Sequence, residues 1–153
     1  MTLDTPVVFL IYRRPEHTRQ VMRAIARARP RRLFVVADGP KAERAGDAEL
    51  CARARAETEA VDWECDVERL YADSNMGCKA RVQSGLNWAF EQTESAIILE
   101  EDCVPDPTFF PFCAELLERY RGDTRMMMIS GNCYVQRPDL IAHSYYFSRY
   151  AHI

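Results

Sequence analysis

Three carboxylates in a row, Glu100-Glu101-Asp102, follow directly on the apolar run Ala96-Ile97-Ile98-Leu99. Adjacent carboxylates repel one another, and the end of a buried strand sharpens that repulsion. A divalent cation removes it. Oxygen ligands suit hard or borderline ions such as Mg²⁺ and Mn²⁺, and a diphosphate can complete the shell. A cation held there would neutralise a departing diphosphate as a Lewis acid. Taken alone, an acidic triplet is more often a solvated loop. Its place straight after Ile97-Ile98-Leu99 favours the metal reading.

The other candidates also stand where strand-like runs end. Arg13 and Arg14 follow Val7–Tyr12 and suit a phosphate or a base, or for Arg14 rather an exposed loop. Asp38-Gly39 follows Leu33–Ala37. Asp38 can accept the imino N–H of uracil or equally form an ordinary turn with Gly39. Asn75 and Gly77 lie in a turn before a helix whose first residues include Lys79 and Arg81. Cations beside helix N–H groups suit an anion, and a solvated face accounts for each cation equally well. His17, His143 and His152 form no recognisable metal or triad motif, and Trp63, Trp88 and Phe90 read as packing.

The elements that must position these residues alternate along the chain. Val7–Tyr12, Leu33–Ala37, Val67–Tyr71 and Ala96–Leu99 read as strands. Between them, 16–29 carries apolar Val21, Met22, Ile25 and Ala28 at helical spacing, 47–59 reads as an exposed helix, and 78–91 turns Val82, Leu86, Ala89 and Phe90 inward. A further helix is expected over 108–120, capped by Thr108. Met126–Ile129 and Tyr145–Phe147 are expected as a fifth and a sixth strand. Strand, helix and strand in alternation predict an α/β domain with a mostly parallel central sheet flanked by helices. Ligands of such sheets bind beyond the carboxyl ends of the strands.

Hydrophobic residues make up 48% of the 153, enough for a core in one domain, so disorder is excluded. A net charge of −3 offers no basic field for nucleic acid. No apolar run approaches the ~20 residues of a membrane span, and Met1–Pro6 does not read as a signal peptide. The expectation is a cytoplasmic chain without an integral membrane segment. The six cysteines fit no zinc spacing or CxxC pair and read as free thiols.

Ala96–Phe110 and Asn75–Leu86 together resemble the GT-A nucleotide-sugar glycosyltransferases. The resemblance is to the N-glycan branching N-acetylglucosaminyltransferases and the bacterial family 2 enzymes. The first segment is similar to their apolar strand, acidic triplet and x-P-x-F-F helix start, the second to their N-x-G…G helix. The likeness extends over roughly Thr5 to Tyr134. It implies a GT-A type, Rossmann-like fold and a Mn²⁺- or Mg²⁺-dependent transfer of sugar from a nucleoside-diphosphate donor to a hydroxyl acceptor. By position, Asp102 matches the direct metal ligand, Glu101 its ribose- or water-contacting neighbour and Glu100 the first acidic place. Asp38 matches the base-contacting carboxylate and favours a UDP-sugar; Arg13 matches a residue lying over the nucleotide. Asn75, Gly77, Lys79 and Arg81 match the loop and helix start near the diphosphate.

Three departures stand out. Glu101 replaces an Asp, Arg81-Val82-Gln83 stands where family 2 carries Ala-Arg-Asn, and no residue matches the catalytic base, which lies in a later acceptor half. The expectation is therefore that residues 1–153 form the single nucleotide-sugar-binding domain of a longer enzyme, with an apolar surface open to self-association. A non-catalytic sugar-nucleotide-binding module is the alternative. A sugar-nucleotidyltransferase ranks lower, because Tyr12–Glu16 holds no glycine for a triphosphate loop. A phosphoacceptor receiver domain lacks its lysine after Met126–Ile129.

Overall fold

The computed structural model describes residues 2–132 and 145–150. Strands β1 (Val7–Ile11), β2 (Arg32–Ala37), β3 (Asp66–Tyr71) and β4 (Ile97–Glu100) alternate with helices α1 (Pro15–Ala28), α2 (Asp47–Ala56), α3 (Cys78–Phe90) and α4 (Phe109–Arg119). The four strands form one all-parallel sheet in the order β3-β2-β1-β4. All of β1 and all of β2 after Arg32 are buried, which is why both read as unbroken apolar runs.

The first two crossovers step outward from β1 to β2 to β3, and the third returns to the far side of β1. Parallel crossovers are right-handed, so reversing the direction of travel carries the connecting helix to the other face. Packing follows that rule. Val21, Met22 and Ile25 of α1, with Phe110 and Cys113 of α4, pack with Phe9, Val35 and Leu99 on one face. Val82, Leu86 and Ala89 of α3 pack with Val8, Leu10 and Phe34 on the other. Gly85 lets α3 lie close on β2, since a Cβ there would collide with the Val36 side chain. Arg29 closes α1 in the left-handed conformation (φ 50°), its N–H donating to Ile25.

Several expectations need correction. Met126–Ile129 is not a strand; Met127 is 95% exposed, and the Met126 N–H closes a turn on Asp123. Tyr145–Phe147 is not a strand either, and Tyr145 sits against Tyr120 instead. Apolar composition favours a strand only where a ladder partner exists, and these segments have none among the described residues. Phe90 is 43% exposed rather than facing in. Helix α2 is not wholly exposed, because Asp47, Cys51 and Ala54 are buried. Thr108 makes no side-chain cap; its N–H and hydroxyl both donate to Asp106. No helix of the described residues is long and apolar enough to cross a membrane. His143 and His152 lie outside the described residues, and His17 is exposed as expected.

Candidate functional site

The reversal of strand order falls between β1 and β4, and the carboxyl ends of these two strands carry Tyr12-Arg13-Arg14 and Glu100-Glu101-Asp102. In an open parallel sheet this is the crevice where ligands bind. The period of two along β4 sorts the three carboxylates. Ile97 and Leu99 are buried against the α1 face while Ile98 and Glu100 are exposed. Glu101 continues the buried row at 3% exposure, and Asp102 points out again.

Glu101 is thereby committed inside the protein. One carboxylate oxygen accepts the Tyr12 N–H at 2.7 Å and the Thr18 hydroxyl at 3.4 Å; the other accepts the Arg14 Nε–H at 2.7 Å. These bonds tie the end of β4 to the β1–α1 link and place a negative charge at the start of α1, where the helix dipole favours it. Arg14 then reaches outward, its Nη1 lying 3.0 Å from Asp102. Hydrogen bonding to Glu101 raises the Arg14 guanidinium above its ordinary value despite partial burial. The repulsion expected within the acidic triplet is relieved by Arg14, a residue expected to lie in an exposed loop.

Arg13 turns to a residue that the sequence reading did not single out. Asp47, at the first position of α2 and fully buried, accepts from Arg13 Nη1 at 2.9 Å, Tyr12 Oη at 2.5 Å and the Lys41 N–H at 2.8 Å. Burial works to raise the Asp47 carboxyl, but the bonds from Tyr12, Lys41 and Arg13 outweigh it and hold it below its ordinary value. Burial and the Asp47 carboxylate in turn push the Tyr12 phenol up. The signal that could have revealed Asp47 is an acid in the first turn of a helix after Gly46.

Asp38 occupies the same carboxyl edge one strand further along. It is 5% exposed, and its N–H donates to the Ile11 carbonyl at 3.1 Å. Its Oδ1 accepts the N–H groups of Gly39 and Met76, and its Oδ2 accepts the Asn75 amide at 2.9 Å. Asn75 also donates to the Gly39 carbonyl at 3.1 Å. Gly39 passes so near the Ser74 backbone that any Cβ would collide with it. Gly77, at φ 82°, turns the chain into α3 in a conformation that favours glycine. Asp38, Asn75 and Gly77 thus build one loop pair.

Lys79 is exposed in the first turn of α3 and lines a shallow depression with Gly77 and Gln83. Arg81 does not join it. It is 6% exposed and donates inward to the Leu70 carbonyl and to Met76 Sδ, while its Nε has no partner. Burial holds its guanidinium below the ordinary value. A cavity of about 780 Å³ between α1, α4 and residues 2–6 is lined by none of the candidate residues.

The described residues offer a divalent cation at most the exposed carboxylates of Glu100 and Asp102. Among the described residues no group of three or more His, Cys, Asp or Glu is arranged to hold a metal. Glu101 could serve only by giving up its buried bonds. Asp102, 41% exposed at its side chain, can. One carboxylate completed by phosphate oxygens is a common arrangement for Mg²⁺.

No protein-family model matches this chain, and no curated protein matches it in sequence. What the fold itself defines is an α/β chain with a four-stranded, all-parallel sheet flanked by helices.

Proposed function

We propose that this chain is the donor-binding domain of a GT-A type glycosyltransferase. It binds a nucleoside-diphosphate sugar, UDP-linked by preference, and serves transfer of the sugar to a hydroxyl acceptor. The observation that carries this reading is the topological reversal beside β1. It brings Arg14 and the Glu100–Asp102 run together at the carboxyl ends of β1 and β4, with Arg13, Asp38 and the Asn75–Lys79 turn on the same carboxyl edge.

In this reading Asp102 holds the Mn²⁺ or Mg²⁺ together with the diphosphate. The cation supplies neutralisation of the leaving group. Asp38, whose Oδ2 accepts a single bond, keeps a lone pair for an N–H of the base. Lys79 and the N–H groups at the start of α3 attract the diphosphate. Arg13 flanks the nucleotide, and Glu100 lies exposed beside the crevice. Glu101 acts by position, fixing the β1–α1 link on which both arginines stand.

Calorimetric titration with UDP, with and without Mn²⁺, tests the reading. Binding should tighten with the metal, and that metal dependence should be lost in Asp102→Asn at unchanged melting temperature. Equal binding of UDP by the wild type with and without Mn²⁺, or no binding at all, sinks it.

A further inference from the structure

The cavity of about 780 Å³ beside α4 shares no residue with the candidate site. Phe110, Ala114 and Glu118 bring one face of α4 to it at helical spacing. Ala24, Arg27 and Ala28 line it from the end of α1, and Thr5 and Ser95 from just before β1 and β4. Small-molecule pockets enclose about 300–1,000 Å³ and combine apolar walls with a few placed polar groups. The polar lining here divides in two. Asp4 pairs with Arg31 at 2.7 Å, Arg121 pairs with Glu118 at 3.0 Å, and the Thr93 hydroxyl donates to the Ser95 carbonyl at 3.0 Å. Arg27, Glu94 and the half-buried Thr5 and Ser95 hydroxyls have no partner among the described residues. Arg27 and Glu94 are exposed, so they stand at the rim. Two opposite charges thus border one apolar cavity without pairing with each other.

We propose that this cavity binds a small zwitterion with an apolar body, of the class of short apolar peptides. Glu94 takes the ammonium and Arg27 the carboxylate. The apolar part lies against Phe110, Ala114 and Ala24, and the Thr5 and Ser95 hydroxyls are free to bond the peptide link. A ligand of one charge sign would leave either Arg27 or Glu94 beside it without a partner, so charge complementarity selects the zwitterion. Because both side chains are exposed, each ion pair adds little affinity. Burial of the apolar body supplies the binding, and the two charges set the selectivity. The cavity and the carboxyl-edge crevice are separate sites, so this inference does not depend on the donor-site reading.

Calorimetric titration with the dipeptide leucyl-phenylalanine, and with its N-acetylated and C-amidated forms, tests the assignment. The unmodified dipeptide should bind. Each blocked form should bind about two- to fivefold more weakly, the range corresponding to an exposed ion pair. Glu94→Gln should hold the dipeptide and its N-acetylated form equally, yet still disfavour the amide. Arg27→Gln should hold the dipeptide and its amide equally, yet still disfavour the acetylated form. Ala114→Trp fills the cavity from α4 and should abolish binding; should it not fold, the exposed Arg27 and Glu94 variants decide alone. No binding of the dipeptide by the wild type overturns the proposal. So does a blocked form that binds as tightly as the dipeptide, discrimination left unchanged in either Gln variant, or binding that persists in folded Ala114→Trp.

Discussion

Replacing Glu101 separates its structural weight from the chemistry of its neighbour. In Glu101→Ala the Tyr12 N–H loses its acceptor in a closed space, which costs about 1–3 kcal/mol. Thr18 keeps the Arg14 carbonyl as a partner at 3.0 Å, so its hydroxyl adds little. Arg14, 48% exposed at its side chain, regains water and contributes only about 0.5–1 kcal/mol. The sum is about 1.5–4 kcal/mol. For a chain of 153 residues each kcal/mol moves the midpoint by about 2–4 °C, so melting should fall by roughly 3–16 °C. Glu101→Gln keeps an oxygen for Tyr12, but its amide NH2 cannot accept from Arg14, so that hydrogen bond and the charge are given up together, at a cost of about 0.5–1.5 kcal/mol. Thermal and urea unfolding followed by circular dichroism measure both. A cost below about 1 kcal/mol for Glu101→Ala would refute the assignment of Glu101 as an interior tie. So would a Gln variant as unstable as the Ala variant, since the Tyr12 bond would then carry no weight.

Three further outcomes follow from named contacts. Gly85→Ala should destabilise by about 1–3 kcal/mol through overpacking against Val36, measured by urea unfolding; Ser84→Ala, in the neighbouring turn, serves as the control. Asp47 is held below its ordinary carboxyl value. A depressed carboxyl stabilises the fold above its unfolded value, about 4, and that stabilisation disappears as pH falls from there through the lower folded value. Unfolding from pH 6 to pH 2 should therefore show a smaller acid-side loss in Asp47→Asn than in the wild type. Burial pushes the Cys51 thiol up to about 11 and the Cys113 thiol up to about 12. Alkylation at pH 8, read by mass spectrometry, should label exposed Cys78 first, exposed Cys103 more slowly because partial burial and the Asp102 and Glu100 carboxylates hold its thiol up, and Cys51 and Cys113 only on unfolding.

The sheet was largely legible because β1, β2 and β4 are apolar runs bounded by charged or turn residues, and α1 presents Val21, Met22 and Ile25 on one face. Sequence pattern failed where the outcome depends on a partner elsewhere. Met126–Ile129 has strand composition without a neighbouring strand among the described residues. Arg81 counts as polar in any periodicity, yet its long stem lets it run inward beneath Met76 to the Leu70 carbonyl. Asp47 draws Tyr12, Arg13 and Lys41 together from positions 35, 34 and 6 residues away, a convergence no local motif encodes.

The acidic triplet itself was legible as a site and illegible as a division of labour. Its residues are adjacent in sequence and chemically alike, and read as a motif they pool into one metal cluster. Burial separates them, because Glu101, in the turn just after β4, points inward while Glu100 and Asp102 on either side of it are exposed. The inward row of Ile97 and Leu99 leads to Glu101, which must find donors inside and does, at the start of α1. The residue after it, Asp102, is released to solvent with Arg14 as its neighbour. The same arginine that satisfies the buried carboxylate is thereby carried to the exposed one. Structural and chemical demands on adjacent acids meet in one side chain, Arg14, and any change to either acid must be felt through it.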